Sequence, residues 1–588
     1  MKGFWKIVLA TVVGMIIVSI ISIIITLMLV AGASKSTNVE SIKPNSVLSL
    51  NFDCVMYDKA PSVSKFKFFD KSQEIIGLNT VLDAIENAKT DDNIKGIYLE
   101  TMSVGGGVAM ADEIRDALLD FKKDAPEKFV VAYAKTMTVG AYFLATACDK
   151  IYINPEGNLD FRGLQAQLMF YKKMLDKLGI EYQVFRPEGC KFKSAVEPVI
   201  TDKMSEANRM QVSRYMNNIW DEMLKSISAS RNIPVDKLNN MADELSVTNA
   251  KEAATLGLID ATAHRDEVMD YIVKAMNVEN VDDMNMVNVS DYKQVAKMNA
   301  STSKDKVAVI YAQGKIIDGK GSEIKIGDET LVKSIKEARK DSSVKAVVLR
   351  VNSPGGSALA SEVILREIVL TKQVKPVIAS FSSMAASGGY YISCLSDEII
   401  CSPYCLTGSI GVFAMIPNAQ KFINEKLGIT TDEVSTNKNS QYITPFEKMT
   451  DGNVNFWTAQ VSDIYNTFIS HVADGRGMTT AEVDSIGQGR VWTGTDAINI
   501  GLVDQLGGLK KSIQVAAAKA NLEDYAVLSL PREKTPYEYF MELMNAKSEA
   551  IFNPDNLGIL FGYYSTMKDI SEMEGVQARV PFEMVVNY

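Results

Sequence analysis

The chain is 588 residues long, 47% hydrophobic and 23% charged, with a formal net charge of −10 at pH 7. That length exceeds a single core and predicts about three or four domain-sized units. The acidic balance speaks against a nucleic-acid binder, which needs a basic surface. The six cysteines (Cys54, Cys148, Cys190, Cys394, Cys401, Cys405) are too sparse for a disulfide framework.

The first segment, from Ile7 to Ala33, carries no charge and exceeds the ~20 residues needed to span a bilayer as a helix. Lys2 and Lys6 precede it, which predicts a cytoplasmic N-terminus. Ala31-Gly32-Ala33 also resembles a signal-peptide cleavage site. The apolar region of a signal peptide is only ~7–15 residues, so the run is read as a membrane anchor over residues 1–35. The rest of the chain then lies outside the cytoplasm.

The body of the chain is an internal duplication. Thr80–Gly107 aligns with Thr330–Ser357 without a gap, and nine of 28 positions are identical. Each segment predicts an amphipathic helix, a polar turn, an apolar strand and a glycine loop. Further on, Val130–Tyr133 corresponds to Val377–Ser380, and Thr138–Tyr142 to Ala386–Tyr390. Asp149-Lys150-Ile151 corresponds to Asp397-Glu398-Ile399, and Gly257–Asp260 to Gly501–Asp504. The alternation predicts two α/β repeats, over residues 45–295 and 305–526, followed by a tail over 531–588 with no clear period.

Ser387 stands between small residues with Gly388-Gly389 behind it, and Asn352-Ser353-Pro354-Gly355-Gly356-Ser357 lies upstream. Such a serine could expose its hydroxyl at a helix start, with backbone N–H groups of the glycine turns forming an oxyanion hole. The bland reading is a helix N-cap. Its counterpart in the first repeat is Val139, so only the second repeat keeps a nucleophile. The two histidines, His264 and His471, lie away from both glycine loops and read as structural. A neutral, buried lysine is the remaining type of base. Lys193 sits among small and apolar residues, and Lys438 occupies the aligned position of the second repeat in a more polar context. Composition alone does not choose between them. No Cys/His group has zinc spacing, and Cys401 and Cys405 are close enough in sequence to pair.

The runs Lys193-Ser194-Ala195-Val196-Glu197-Pro198, Asn352–Gly356, Met384–Tyr390 and Thr407-Gly408-Ser409-Ile410-Gly411-Val412 together resemble the long, duplicated form of the signal peptide peptidase A (protease IV) family, serine peptidases S49. The resemblance covers nearly the whole chain, with a mild departure at Thr136–Val139. It implies a tandem ClpP/crotonase-like fold and a membrane-anchored serine protease with a Ser–Lys dyad that degrades cleaved signal peptides. It further implies Ser387 as nucleophile, Lys193 as base, and the N–H groups of Gly388 and Gly355 (or Gly356) as the oxyanion hole. Lys438 stays as the alternative base, because shorter relatives carry both dyad residues in one domain. The expected assembly is a homotetramer on the outer side of the cytoplasmic membrane, without cofactor or metal. Two rival readings are a crotonase-type enzyme acting on an acyl thioester and a non-catalytic membrane scaffold.

Overall fold

The computed structural model describes residues 14, 42–61, 75–292, 301–441, 444–532 and 576–579. The expected anchor over 1–35 lies outside the described residues, Gly14 aside, as does most of the tail. Among the described residues no helix is long and apolar enough to cross a membrane.

Two largely parallel sheets carry the duplication. One runs in the order Ala261–Thr262, Lys150–Ile153, Phe129–Ala134, Ile94–Glu100, Ser46–Leu50, Asn285–Asn288. The other places Val344–Ser353 between Lys306–Gln313 and Val377–Ala386, and extends to Leu530 because Ala526–Leu530 pairs in parallel with Lys306–Gln313. Sheets of this kind are covered on both faces, and the side chains sort accordingly with period two. Ala308, Ile310 and Ala312 enter one core of the second repeat; Val307, Val309 and Tyr311 enter the other. In the first repeat Ile97 and Leu99 face one core and Tyr98 the opposite one.

The helices follow the same logic. Leu78–Thr90 buries Val81, Ala84, Ile85 and Ala88, and Asp328–Lys340 buries Leu331, Ile335 and Ala338. These are the i, i+3, i+4, i+7 positions of one face. Asp328 and Glu329 open the second of these helices, and Arg339 and Lys340 close it, which complements the helix dipole. Polar tethers are duplicated too. Lys128 Nζ donates to the carbonyls of Ala88 and Asp91, and Lys375 Nζ to those of Ala338 and Asp341. The Tyr142 hydroxyl donates to Leu258 O and the Tyr390 hydroxyl to Leu502 O.

The repeats interlock. Arg350, fully buried in the second, pairs with Asp58 Oδ1 at 2.7 Å and with Glu113, both from the first. Asn352 Nδ2 also donates to Asp58, and Glu113 accepts from the Leu509 N–H. Arg214 grips Asp496 with two hydrogen bonds of 2.9 and 2.8 Å. A third sheet belongs to neither repeat alone. Its order is Lys325–Gly327, Lys315–Ile317, Gly355–Ser357, Val576–Arg579, Phe413–Asn418, Glu181–Phe185. The last strand comes from the first repeat and leads into the loop that carries Lys193.

Candidate active site

The strand Val377–Ala386 ends at Ser387, and the helix Gly388–Tyr391 begins immediately after it. Ser387 takes φ 56° and ψ −116°, a region that non-glycine residues occupy at a cost of about 1–3 kcal/mol. Its N–H is held by Gly408 O at 2.8 Å and its carbonyl accepts from Tyr391 N–H at 2.8 Å. Small neighbours make the turn feasible: Ala385 and Ala386 are fully buried, and a Cβ on Gly389 would come within 2.9 Å of Ser353 O. The Ser387 side chain makes no helix-capping bond; its hydroxyl turns the other way, toward Lys193.

Lys193 Nζ lies 2.7 Å from Ser387 Oγ, 2.9 Å from Ser409 O and 3.0 Å from Ser409 Oγ. Both Lys193 and Ser387 are fully buried. No carboxylate pairs with Lys193 among the described residues, and burial pushes its amine well below the ordinary 10.5. A neutral amine has two N–H donors and one lone pair. Ser409 O and Oγ accept from the N–H groups, which leaves the lone pair for the Ser387 O–H. Ser409 is held in turn: its N–H donates to Arg490 O at 2.7 Å and its hydroxyl to Gly489 O at 3.3 Å.

The lysine loop is clasped by one buried glutamine. Gln211, on the helix Glu206–Arg231, donates through Nε2 to Phe192 O and Ser194 Oγ, both at 3.1 Å, on either side of Lys193. Its Oε1 accepts from Val491 N–H of the second repeat. Arg490 stacks its guanidinium over Trp492 at 4.0 Å and Phe192 at 5.0 Å. Gly489 has φ +81°, and its surroundings leave no room for a side chain against Lys193.

Two glycine turns stand beside the hydroxyl. Gly388 is the first residue of its helix, where N–H groups lack intrahelical acceptors. The Gly355 N–H points to Ser353 Oγ at 3.1 Å. Gly356 approaches Ile316 so closely that a Cβ would fall 1.9 Å from the Ile316 carbonyl oxygen. In the first repeat the matching turn survives, with Thr138 as N-cap and Val139, buried, in place of the serine.

The remaining candidates lie elsewhere. Lys438 is exposed. His264 caps the helix Arg265–Met276. His471 pairs with Glu362 at 3.0 Å, which also accepts from the Tyr391 hydroxyl at 2.6 Å; the bond to Glu362 raises the histidine's affinity for a proton. All six cysteines are free thiols, and Cys401 and Cys405 are fully buried. Among the described residues no group of His, Cys, Asp and Glu could hold a metal. Gln211 and Gly489 escape a sequence reading, while Ser409 lies inside the Thr-Gly-Ser-Ile-Gly-Val run without a role that the run itself reveals.

The family model described as Peptidase family S49 matches twice, over residues 122–279 and 370–523, once per repeat. A Protease 4 of Haemophilus influenzae is 33% identical over 512 residues, which cover 84% of this chain and 81% of the relative. A Protease 4 of Salmonella typhi is 36% identical over 495 residues, covering 82% and 78%. A chloroplastic serine protease SPPA of Arabidopsis thaliana is 30% identical over 502 residues, covering 84% and 72%.

Proposed function

This chain belongs to peptidase family S49, and on that premise we propose that it cleaves peptides through a Ser387–Lys193 dyad. It is a serine protease, built as a duplicated α/β domain. The observation that carries the dyad is the 2.7 Å approach of Lys193 Nζ to Ser387 Oγ in a site where, among the described residues, no carboxylate pairs with the amine.

Neutral Lys193 removes the Ser387 proton as Oγ bonds to the scissile carbonyl carbon. The carbonyl electron pair moves onto oxygen, and the N–H groups of Gly388 and of Gly355 or Gly356 receive it. Gly355 reaches that role by turning its N–H from Ser353 Oγ to the oxyanion. A single donor of this kind is worth ~2.7–4 kcal/mol. The C–N bond then breaks, and Lys193 Nζ–H protonates the leaving amine. Water, deprotonated by the same amine, attacks the acyl-serine; the C–Oγ bond breaks, the lysine returns its proton to Oγ, and the new carboxyl end leaves with Ser387 restored. Ser409 holds the lysine amine in place throughout. No cofactor enters this sequence.

The substrates are apolar peptides, cleaved signal peptides above all. The uncharged run over 7–33 supports a single-pass anchor in the cytoplasmic membrane, with the N-terminus inside and the catalytic body outside. That placement raises the local concentration of membrane-derived peptides. The two repeats are read as ClpP/crotonase-like, residues 45–295 supplying the lysine and 305–526 the serine, and four copies as forming the working assembly.

A fluorophosphonate is the direct test. The full-length protein becomes labelled and Ser387→Ala does not. A protein that hydrolyses an acyl thioester without labelling would favour the crotonase-type alternative, and one with neither activity a scaffold.

A further inference from the structure

Glu362 stands on the helix Ala358–Lys372, which starts where the glycine turn Gly355–Ser357 ends. Tyr391 is the last residue of the helix Gly388–Tyr391 that Ser387 opens. The Tyr391 hydroxyl donates to Glu362 Oε2 at 2.6 Å. His471 Nε2, on the helix Asp451–Arg476, meets the same oxygen at 3.0 Å. The Tyr391 ring packs on Phe468 at 4.6 Å and stands edge to face with His471 at 5.6 Å. Glu362 thus ties together the two segments that carry the proposed oxyanion donors.

The duplication supplies the comparison. Asp112 is the counterpart of Glu362; each stands two residues before a fully buried isoleucine, Ile114 or Ile364. Phe143 is the counterpart of Tyr391; each follows a tyrosine, Tyr142 or Tyr390, whose hydroxyl holds a carbonyl in both repeats. Ser226 is the counterpart of His471; each stands five residues before the arginine that ends a 26-residue helix. Phe143 has no hydroxyl, and the Arg115 guanidinium lies 5.4 Å over its ring. Asp112 turns instead to Ser402 Oγ at 3.2 Å, and Ser226 to the Tyr404 hydroxyl at 3.4 Å. The repeat with Val139 at the serine position therefore lacks the whole network, although it keeps the lysine and tyrosine tethers of the fold. A bond needed only for folding would persist in both halves.

Exposure and charge agree. The Glu362 side chain is 45% exposed, and a bond to such a group adds little to stability. An oxyanion donor, by contrast, must be held to within about 0.5 Å. Burial and the adjacent carboxylate raise Tyr391 above the ordinary tyrosine value, so its phenol keeps the proton it donates. The bond from His471 holds Glu362 below the ordinary carboxylate range, so the acceptor stays ionised.

We propose that Glu362 is a positioning residue of the oxyanion hole: held by His471, it fixes the Gly388 turn to the Gly355 turn through the Tyr391 hydroxyl. This rests on the reading of Ser387 as the nucleophile. The spacing of the donors matters to the tetrahedral intermediate and little to bound substrate, so its loss falls on kcat and spares KM.

The test uses the full-length protein. Tyr391→Phe removes one oxygen, and Glu362→Leu removes the acceptor at similar volume. Each is expected to lower kcat for an apolar fluorogenic peptide by about 10–100-fold, with KM little changed. The double variant falls no further than either single one, because both break the same tie. Glu362→Gln, whose amide oxygen still accepts from the phenol, recovers most of the rate. A peptide boronate, whose tetrahedral adduct places an oxygen in the hole, loses affinity by the same factor as kcat. Parental kcat in a Tyr391→Phe protein that labels with fluorophosphonate overturns the positioning role and leaves the dyad standing. Losses that multiply in the double variant, or boronate affinity that stays at the parental value, do the same. A parent that neither labels nor hydrolyses the peptide removes the nucleophile itself.

Discussion

Gly489 lies against the main chain of Lys193: a Cβ added to it would come within 2.6 Å of the lysine Cβ and 2.7 Å of its Cα and N. With φ at +81° the position is doubly closed to a side chain. Gly489→Ala is therefore expected to push the base loop away while both hydrophobic cores remain. The measurement is kcat with a peptide substrate, expected to fall about a hundredfold, since a shift near 1 Å at a reacting group has that effect. An Ala variant with full kcat would show that the contact is incidental.

Replacement of the base separates the two lysines. Lys193→Met is expected to lower kcat by about 10²–10⁴-fold, while Lys438→Met, at an exposed position, leaves it unchanged. The base works only when neutral, so kcat/KM rises with pH through the lowered Lys193 value and levels well below 10.5. The same shift makes stability depend on pH. Between the folded value and 10.5 the unfolded chain holds the proton and the folded one does not, so stability rises with pH across that window. Urea unfolding of the parent should therefore gain on Lys193→Met as pH increases toward 10.5. A constant difference would mean that Lys193 stays charged when buried.

Gln211 touches neither substrate nor the reacting atoms, so its role is positional. Gln211→Leu keeps the volume and removes both donors and the acceptor that join Phe192 O, Ser194 Oγ and Val491 N. The expected result is a kcat lower by about 10–100-fold with KM little changed, and partial recovery in Gln211→Asn would mark the bonds rather than the bulk. A merely structural residue would lower the unfolding midpoint and leave the kcat of the folded fraction intact.

Arg350 holds the repeats together from inside. Its removal in Arg350→Met strands Asp58 and Glu113 as buried carboxylates, at a cost of about 3–5 kcal/mol. Urea unfolding measures it. The triple replacement Arg350→Met, Asp58→Leu, Glu113→Leu should recover most of the loss, because no uncompensated charge then remains. A single variant as stable as the parent would mean that water reaches the network.

Much of this arrangement is legible in the sequence, for identifiable reasons. The repeat shows because glycine turns and apolar strands recur at nearly constant spacing, and Ser387 stands out because small residues crowd its turn. Lys193 is another matter. Its small and apolar neighbours single it out no further than a candidate buried lysine, and only a resemblance of motifs ties it to a serine in the other repeat. Gln211 is invisible because a helix buries it like an apolar residue, and the partners that tie it to the site come from two segments outside that helix, Phe192 and Ser194 before it and Val491 far beyond. The strand Val576–Arg579 escapes because its pairing is through backbone groups, which leave no pattern of side chains. The third sheet as a whole is unreadable for that reason: its strands come from both repeats and the tail.

The contact between Lys193 and Ser387 spans 194 positions, and this sets an order of events during biosynthesis. Chains emerge N-terminus first and domains fold as they appear. The amine is made and its domain can fold while the hydroxyl is still untranslated. Gly489 and Arg490, which close the loop over the amine, arrive later still. On the proposed dyad, a chain that stops short of the second repeat thus carries no assembled site, and hydrolytic competence waits until that repeat has left the ribosome.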